Sequence, residues 1–252
     1  MTTAGRDSPA TDVKTNGFFA GPLHDYTLRC LGGPVTLLQA GCLAPPRELG
    51  IGELAEDGFE ISVTAVADHP LAKRALEDAR TGYDDVIVGD LRTVPIAQRA
   101  YDIVYCAGLL ERVQHVELVL DRLVSALKPG GLLLIRTRDR YTAAALLDRL
   151  LPGPARKVLW SRLRPGTPGP FPAVYEKAVC DAGIASYTLL RGLVIIARGT
   201  ELTLPSQPVR LSSSMRVTCA AISRLTRGRF GDSHDELLYV IRRPQDQFAR
   251  VV

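Results

Sequence analysis

Short apolar runs alternate along the chain with stretches in which apolar residues recur at helical spacing. The runs have the length of strands. They are continuously apolar, which is typical of parallel strands that are covered on both faces. The pattern predicts strands at 35–39, 61–66, 86–88, 101–106 and 132–136, and a last strand within 235–244.

Helical periodicity is clearest over Val116–Leu127, where apolar residues recur at i, i+3, i+4 and i+7. The KPGG stretch at 128–131 predicts the end of this helix, because glycine caps helix ends and proline cannot continue them. After a Pro/Gly-rich loop at 164–172, the apolar run 184–190 predicts a strand and 193–197 is another apolar run. Further helices are predicted at 46–56, 69–80, 141–150, 155–163, 173–182 and 215–225.

The alternation of strands and helices predicts an α/β fold with a doubly wound, mostly parallel sheet and helices on both faces. Ligands of such sheets bind beyond the carboxyl ends of the strands, near the point where the strand order reverses. We find no internal repeat and no domain break. We expect a disordered tail over residues 1–20 and a single domain over 21–252, with an elaborated C-terminal half at 141–235.

Composition narrows the class of protein. The chain has 252 residues, 46% of them hydrophobic, and a net charge of +4, which is too small to indicate nucleic-acid binding. The five cysteines are widely spaced without a CxxC pair, so we expect reduced thiols and neither a disulfide framework nor a metal site. No signal peptide and no apolar run of membrane-spanning length is present. We therefore expect a cytoplasmic protein.

Four stretches in order resemble the class I S-adenosylmethionine (SAM)-dependent methyltransferases, in particular their small-molecule, type 11 and type 25-like members. They are VTAVADHP at 63–70, VIVGDLRTVP at 86–95, YDIVYCAGLLERV at 101–113 and LDRLVSALKPGGLLLIR at 120–136. The resemblance covers residues 35–140. It implies a Rossmann-like, seven-stranded sheet, SAM as cofactor and methyl transfer as the activity.

The resemblance also implies which residues contact the cofactor. The acid after the third strand, Asp90, would approach the adenine together with Leu91, although an aspartate here is also a common turn or helix-cap residue. The acid that closes the second strand would hold the ribose hydroxyls. Strict alignment puts Ala67 there, with Asp68 one residue later and His69 beside it.

The exit of the fourth strand is the next cofactor segment. Cys106 and Ala107 would lie beside the cofactor; the alternative is a plain buried strand. In the segment that follows, Leu110, Glu111 and Val113 fit the LEHV-like pattern of the family, while Arg112 replaces the usual histidine.

The stretch VTLLQAGCLAPP, 35–46, stands where the family has its first motif, an acid followed by alternate glycines. Gly41 fits the first glycine and Gln39 stands in the place of the acid, so Gln39, Gly41 and Cys42 are expected at the methionine part of SAM. Leu43 and Pro45 replace the later glycines, which allow close backbone approach and positive φ. This departure leaves the fold prediction intact and bears on the affinity for SAM.

No catalytic pair is identified from the sequence. Methyl transfer needs no base in principle, since SAM is already activated and alignment supplies much of the rate. His24 and Tyr26, just before the first strand, are candidates for substrate contact or base catalysis, and His115 reads as a surface or capping residue. The arginine-rich stretches at 136–140 and 156–164 indicate an anionic or amphiphilic acceptor or a membrane surface, against the alternative of a solvated helix face.

The sequence therefore predicts methyl transfer to an oxygen or nitrogen of a small molecule, with no nucleic-acid partner. A homodimer and peripheral contact with a membrane remain open. Two alternatives stand beside this prediction: an inactive binding or scaffold protein, and the same fold redirected to a non-methylating reaction such as a cyclisation. A nicotinamide-dependent dehydrogenase is disfavoured because the first loop lacks GxGxxG.

Overall fold

The computed structural model describes residues 17–30, 33–41, 49–68, 83–163, 169–202 and 209–245. Its strands are β1 Val35–Ala40, β2 Ile61–Ala67, β3 Asp85–Val88, β4 Tyr101–Ala107, β5 Leu127–Arg138, β6 Val194–Glu201 and β7 Glu236–Arg242. Its helices are α1 Ala20–Arg29, α2 Ile51–Glu56, α3 Val116–Ala126, α4 Ala143–Leu150, α5 Gly153–Leu163, α6 Asp181–Leu190 and α7 Val209–Leu225.

The strands form one sheet of seven in the order β3-β2-β1-β4-β5-β7-β6. The neighbours from β3 to β5 are parallel, and β7 is antiparallel to both β5 and β6. This confirms the doubly wound, mostly parallel sheet. The strand order reverses between β1 and β4, so the carboxyl ends of these two strands frame the expected ligand crevice.

Two apolar clusters cover the two faces of the sheet, which explains the continuously apolar strands. Neighbouring residues of β1 divide between them: Leu38 packs with Leu120 of α3 in one cluster, and Leu37 packs with Leu23 of α1 in the other. All four side chains are at most 1% exposed. Alternate residues of each strand thus serve opposite faces, as a sheet between two helical layers requires.

The predicted helix at 46–56 begins later than expected within the described residues. Gly50 precedes α2 in the left-handed conformation, with φ of 66°, and the helix starts at Ile51. The predicted helix at 69–80 lies outside the described residues. The predicted tail at 1–20 ends earlier: Phe19 is 2% exposed and packs against Tyr105, with ring centroids 5.8 Å apart. Residues 1–16 also lie outside the described part.

The predictions after the loop at 164–172 were partly wrong. Residues 173–180 form no helix, and the apolar run 184–190, predicted as a strand, belongs to α6. The Cys180 sulfur accepts the N–H of Gly183 and so caps this helix. Buried side chains follow helical spacing at Ile184, Tyr187 and Thr188. A short apolar run does not distinguish a strand from a half-buried helix.

The end of α3 also differs from the prediction. The helix stops at Ala126, and Leu127 is already extended, with ψ of 139°. Lys128–Gly131 form the start of β5, so no glycine caps the helix. Gly130 does adopt a positive φ, 84°, but within the strand. Among the described residues, no helix is long and apolar enough to cross a membrane.

Candidate functional site

Gly41 lies directly after β1, where the backbone passes closest to the exit of β4. Its φ is 81°, and a Cβ at this position would lie 2.7 Å from Leu109 Cβ and 3.1 Å from the Ala107 oxygen. No side chain fits at such distances, and L residues disfavour this conformation. The crossing of the two strand exits therefore requires glycine at position 41.

Asp68 follows β2 immediately and reaches toward the same crossing. Its Oδ1 accepts a hydrogen bond from Arg112 Nη2 at 2.6 Å, and the two side chains are 10% and 2% exposed. Ala67, the strictly aligned residue, is 1% exposed within a small cluster with Ala65. Asp68 is thus the residue whose carboxylate reaches the site, and its contact with a ribose stays a prediction.

Arg112 stands where the LEHV-like pattern of the family has a histidine. The pattern alone predicts no role for an arginine at this position. Its guanidinium lies 3.3 Å from the position that a Gly41 Cβ would occupy, and the Phe171 ring covers it at 4.3 Å from the ring centroid. Among the described residues, its Nε and Nη1 atoms have no hydrogen-bond partner, and both are buried. The available signal was a basic residue at the exit of a buried strand.

The turn after β3 places Asp90 and Leu91 differently from each other. Asp90 accepts the Arg92 N–H at 2.9 Å and pairs with the Arg92 guanidinium at 2.6 Å. These hydrogen bonds from Arg92 hold the pKa of Asp90 below its ordinary value. Leu91 is 1% exposed in the core. Asp90 therefore acts as a turn residue here, and its contact with adenine stays a prediction.

The remaining predicted cofactor residues lie along β1 and β4 or outside the described part. Gln39 and Cys106 are 2% and 0% exposed, and the Cys106 side chain belongs to the core cluster. Burial raises the pKa of the Cys106 thiol, which keeps it protonated. Any contact of Cys106 with a ligand would come from its backbone; Ala107 is half-buried. Cys42 and His69 lie outside the described residues.

A buried polar network extends from the exits of β4 and β5. The Glu111 carboxylate accepts the Thr137 hydroxyl at 2.9 Å, and the Glu111 backbone oxygen accepts the N–H groups of Val174 and Tyr175 at 3.0 Å each. Burial raises the pKa of Glu111, although the charge of Arg138 opposes this. The segment 169–176 is thereby tied to the end of β4. From the sequence, Glu111 is predicted only as a residue of the LEHV-like pattern.

Arginines of both arginine-rich stretches form ion pairs within the protein. Arg136 donates to Glu236 at 2.6 Å, and Arg156 donates to Asp148 at 2.8 Å. The Asp148 carboxylate also lies 3.8 Å from Arg138. The side chains of Arg138 and Arg156 are only 20% and 17% exposed. The interpretation as a solvated helix face is wrong for 136–138, which belong to β5, whereas Lys157, Val158 and Ser161 of α5 are exposed and agree with it. An anionic acceptor stays a prediction, without support from these residues.

His24 and Tyr26 lie away from the strand exits. His115 takes part in a helix cap through its backbone N–H. The Tyr26 hydroxyl donates to Asp102 at 3.1 Å, at the amino end of β4, and the His24 ring lies 6.4 Å from Phe59, just before β2. Both residues lie at the amino-terminal ends of the strands, opposite the carboxyl ends that frame the crevice, so their predicted substrate contact is wrong. His115 precedes α3, but Glu176 makes the cap by accepting its N–H at 2.7 Å.

The chain is similar in sequence and in fold to known proteins. The model of the family described as Methyltransferase domain matches residues 48–135. No curated protein sequence matches the chain at a significant level. Among solved structures, one from Galdieria sulphuraria, assigned as a sarcosine dimethylglycine methyltransferase, is 14% identical with a TM-score of 0.57, and the match covers 91% of this chain and 85% of that one.

Two further solved structures share the fold. The plantazolicin methyltransferase BpumL, solved with a pentazolic desmethylPZN analogue and S-adenosylhomocysteine, is 12% identical with a TM-score of 0.54, covering 92% of this chain and 83% of that one. The [4+2]-cyclase SpnF is 16% identical with a TM-score of 0.52, covering 90% and 80%. At these identities the similarity establishes the fold alone.

The sheet and the family match make this chain similar to methyltransferases, in sequence over residues 48–135 and in fold over most of its length. The match covers 88 of the 252 residues, and the cofactor expected from the sequence resemblance is S-adenosylmethionine. The residues at the strand exits are chemically suited to that cofactor: the Asp68 carboxylate can accept from sugar hydroxyls, the Gly41 backbone presents no side chain, and Arg112 has unused N–H donors.

Proposed function

We propose that this protein transfers the methyl group of SAM to an oxygen or nitrogen atom of a small-molecule acceptor. The observation that carries the proposal is the meeting of Asp68, Arg112 and Gly41 at the reversal of strand order, since this is where a doubly wound sheet binds its ligand. The cofactor supplies an activated methyl group on a sulfonium. The protein has to bind, orient and keep water away.

Each cofactor contact in the proposal is assigned to a residue of this chain. Asp68 accepts hydrogen bonds from the ribose hydroxyls, and the Gly41 backbone lies against the amino-acid end. Asp90 approaches the adenine, and its side chain is exposed enough to do so without breaking the core. Gln39, buried at the end of β1, offers a neutral amide where an acid is usual in the family.

The acceptor is proposed to bind on the β4–β5 side of the crevice. There the segment 169–176 is tied to Glu111, and Tyr175 donates to Asp148 of α4 at 3.1 Å. These hydrogen bonds hold the segment 169–176 beside the end of β4, and its position next to the crevice supports a small acceptor. At the strand exits the carboxylates of Asp68 and Glu111 already accept hydrogen bonds from Arg112 and Thr137, so we assign the rate acceleration to alignment of the acceptor with the methyl group.

Isothermal titration of the full chain with SAM and with S-adenosylhomocysteine tests the proposal. We expect both to bind with Kd below about 1 mM, which corresponds to more than about 4 kcal/mol of binding free energy. Mass spectrometry of small O- and N-nucleophiles incubated with the protein and SAM then identifies the methylated atom. Absence of binding by both ligands would overturn the proposal.

One observation favours the non-methylating alternatives: the Asp68 carboxylate is already paired with Arg112. A Leu43→Gly/Pro45→Gly variant separates the cases, because it restores the glycines of the first motif. If SAM binds only to this variant, the natural chain is a degenerate form of the enzyme. If the natural chain binds SAM and converts an acceptor without methylating it, the fold has been redirected.

A further inference from the structure

Arg112 holds a buried positive charge that methyl transfer does not by itself require. Its side chain is 2% exposed, and its Nη2 forms an ion pair with Asp68 at 2.6 Å. Burying a guanidinium is costly unless its hydrogen-bonding capacity is used. A hydrophobic residue or the family's histidine would fill the same volume at lower cost, so the arginine calls for a specific explanation.

The unused donors of Arg112 supply that explanation. Its Nε and Nη1 are closed to water and have no hydrogen-bond partner in the part of the chain that the structure describes. A guanidinium carries five N–H groups, and native proteins rarely leave buried donors unsatisfied. The remaining donors therefore point to a bound group that brings acceptor oxygens. Carboxylate is the preferred partner of a guanidinium because charge-assisted hydrogen bonds are about twice as strong as neutral ones.

The position of the guanidinium selects the carboxylate. Arg112 Nη2 lies 3.3 Å from where a Gly41 Cβ would be, so the charge adjoins the glycine whose backbone is proposed to face the amino-acid end of the cofactor. Asp68, proposed to hold the ribose, accepts a hydrogen bond from the same nitrogen. One carboxylate is present in SAM, and it belongs to this amino-acid end.

We propose that Arg112 is a cofactor-binding residue that holds the carboxylate of the amino-acid end of SAM while keeping its ion pair with Asp68. The inference rests on the proposed function, since it assumes that SAM binds at these strand exits. It makes Arg112 a residue that compensates for a first motif in which Gln39, Leu43 and Pro45 replace the acid and two glycines.

The test compares two ligands that differ in the amino-acid end. S-adenosylhomocysteine carries the carboxylate, and 5′-methylthioadenosine keeps the adenosine and the thioether but lacks the amino-acid end. Both are titrated calorimetrically into the full natural chain, Arg112→Lys and Arg112→Gln. Arg112→Lys keeps a positive charge for Asp68, and Arg112→Gln removes it. The surface variant Arg191→Gln, which loses a guanidinium paired with Asp121 at 2.6 Å, is the matched control.

We expect Arg112→Gln to lower the affinity for S-adenosylhomocysteine about 10- to 100-fold, the range of a lost charged hydrogen bond, and Arg112→Lys to lower it less. The affinity for 5′-methylthioadenosine should change by less than about 3-fold in both, which also reports that the variants are folded. Arg191→Gln should change neither.

Equal losses for both ligands would overturn the proposal, because Arg112 would then serve the adenosine or the shape of the site. Affinities for both ligands that stay the same in Arg112→Gln would also overturn it and would leave a carboxylate of the acceptor as the source of the missing oxygens. Binding of neither ligand to the natural chain is a different result: it is the failure of the proposed function itself.

Discussion

The two ends of the sheet each carry a carboxylate paired with a basic side chain, and the two pairs are built differently. At the amino end, Asp102 accepts hydrogen bonds from Lys128 Nζ at 2.7 Å, from the Thr36 N–H at 2.9 Å and from the Thr36 hydroxyl at 2.8 Å. The Tyr26 hydroxyl adds a fourth, at 3.1 Å. At the carboxyl end, Asp68 pairs with Arg112, which keeps two buried donors unused.

The difference separates a structural pair from one prepared for a ligand. The Lys128 side chain is 38% exposed, so its charge remains partly hydrated, and each carboxylate oxygen of Asp102 is occupied. Arg112 has neither compensation. A fully satisfied cluster needs nothing further to be stable, whereas a buried cluster with spare donors gains stability from a group that takes them.

The sharpest way to break the comparison is to remove Asp68. Asp68→Ala leaves the Arg112 charge buried without a counter-ion, and we expect the free energy of unfolding to fall by about 3–5 kcal/mol. Replacing Arg112 as well, in Asp68→Ala/Arg112→Met, should recover most of the loss because no charge remains buried. Urea unfolding followed by circular dichroism measures both; a single variant within about 1 kcal/mol of the natural chain would contradict the reasoning.

Asp102→Ala tests the other end of the sheet. It leaves the Thr36 N–H without its acceptor, while Lys128 can turn to water, so we expect a loss of about 2 kcal/mol in the free energy of unfolding. The affinity for S-adenosylhomocysteine should not change, because Asp102 and its partners lie at the amino-terminal ends of the strands, away from the strand exits. A parallel loss of ligand affinity would show that the two ends are coupled.

Two glycines with similar φ allow the cost of backbone strain to be measured separately from the cost of a steric clash. Gly41 and Gly58 have φ of 81° and 89°, but a Cβ at position 58 would meet nothing within 4 Å. Gly58→Ala should therefore cost only the backbone strain, about 1 kcal/mol. Gly41→Ala should cost about 1–2 kcal/mol more, because its Cβ meets Leu109 at 2.7 Å. Equal costs in thermal unfolding would mean that the strand exits adjust freely.

The smallest expected effect is a dependence on acidic pH. Burial alone would raise the pKa of Asp102, but the hydrogen bonds from Lys128 and Thr36 outweigh it and hold the pKa below its ordinary value. A carboxyl whose pKa is depressed by folding contributes stability above its unfolded pKa of about 3.9 and loses it as the pH falls through the folded pKa. The stability difference between the natural chain and Asp102→Ala should therefore shrink below about pH 4. A difference that is constant from pH 6 to pH 3 would contradict this assignment.

The sequence predicted those parts of the fold whose residues are dictated by one kind of contact. The strands β1, β2, β4 and β5 were found because burial on both faces makes them continuously apolar. Residues 184–190 were misassigned because α6 leaves Leu189 and Leu190 exposed, at 80% and 82%, so its apolar run carries no clear periodicity. No local pattern separates such a run from a strand.

The candidate site divides in the same way. Gly41 and Asp68 were predicted from the family resemblance, because each follows a strand whose apolar run the sequence shows. The partner of Asp68 was not, since Arg112 is 44 residues away and the pairing depends on the meeting of β2 and β4 at their exits. The arginines at 138 and 156 were taken for ligand-binding or solvated charges because the sequence does not show that Asp148 lies between them.

The cover over Arg112 has a consequence for the kinetics of binding. Phe171 stacks on the guanidinium, and its segment is anchored by the hydrogen bonds of Val174 and Tyr175 to Glu111. A ligand that accepts hydrogen bonds from the buried N–H groups of Arg112 can bind only after the segment 169–176 has moved aside. The observed association rate should then level off as ligand concentration rises, at a plateau set by the opening of the segment, instead of increasing in proportion to concentration.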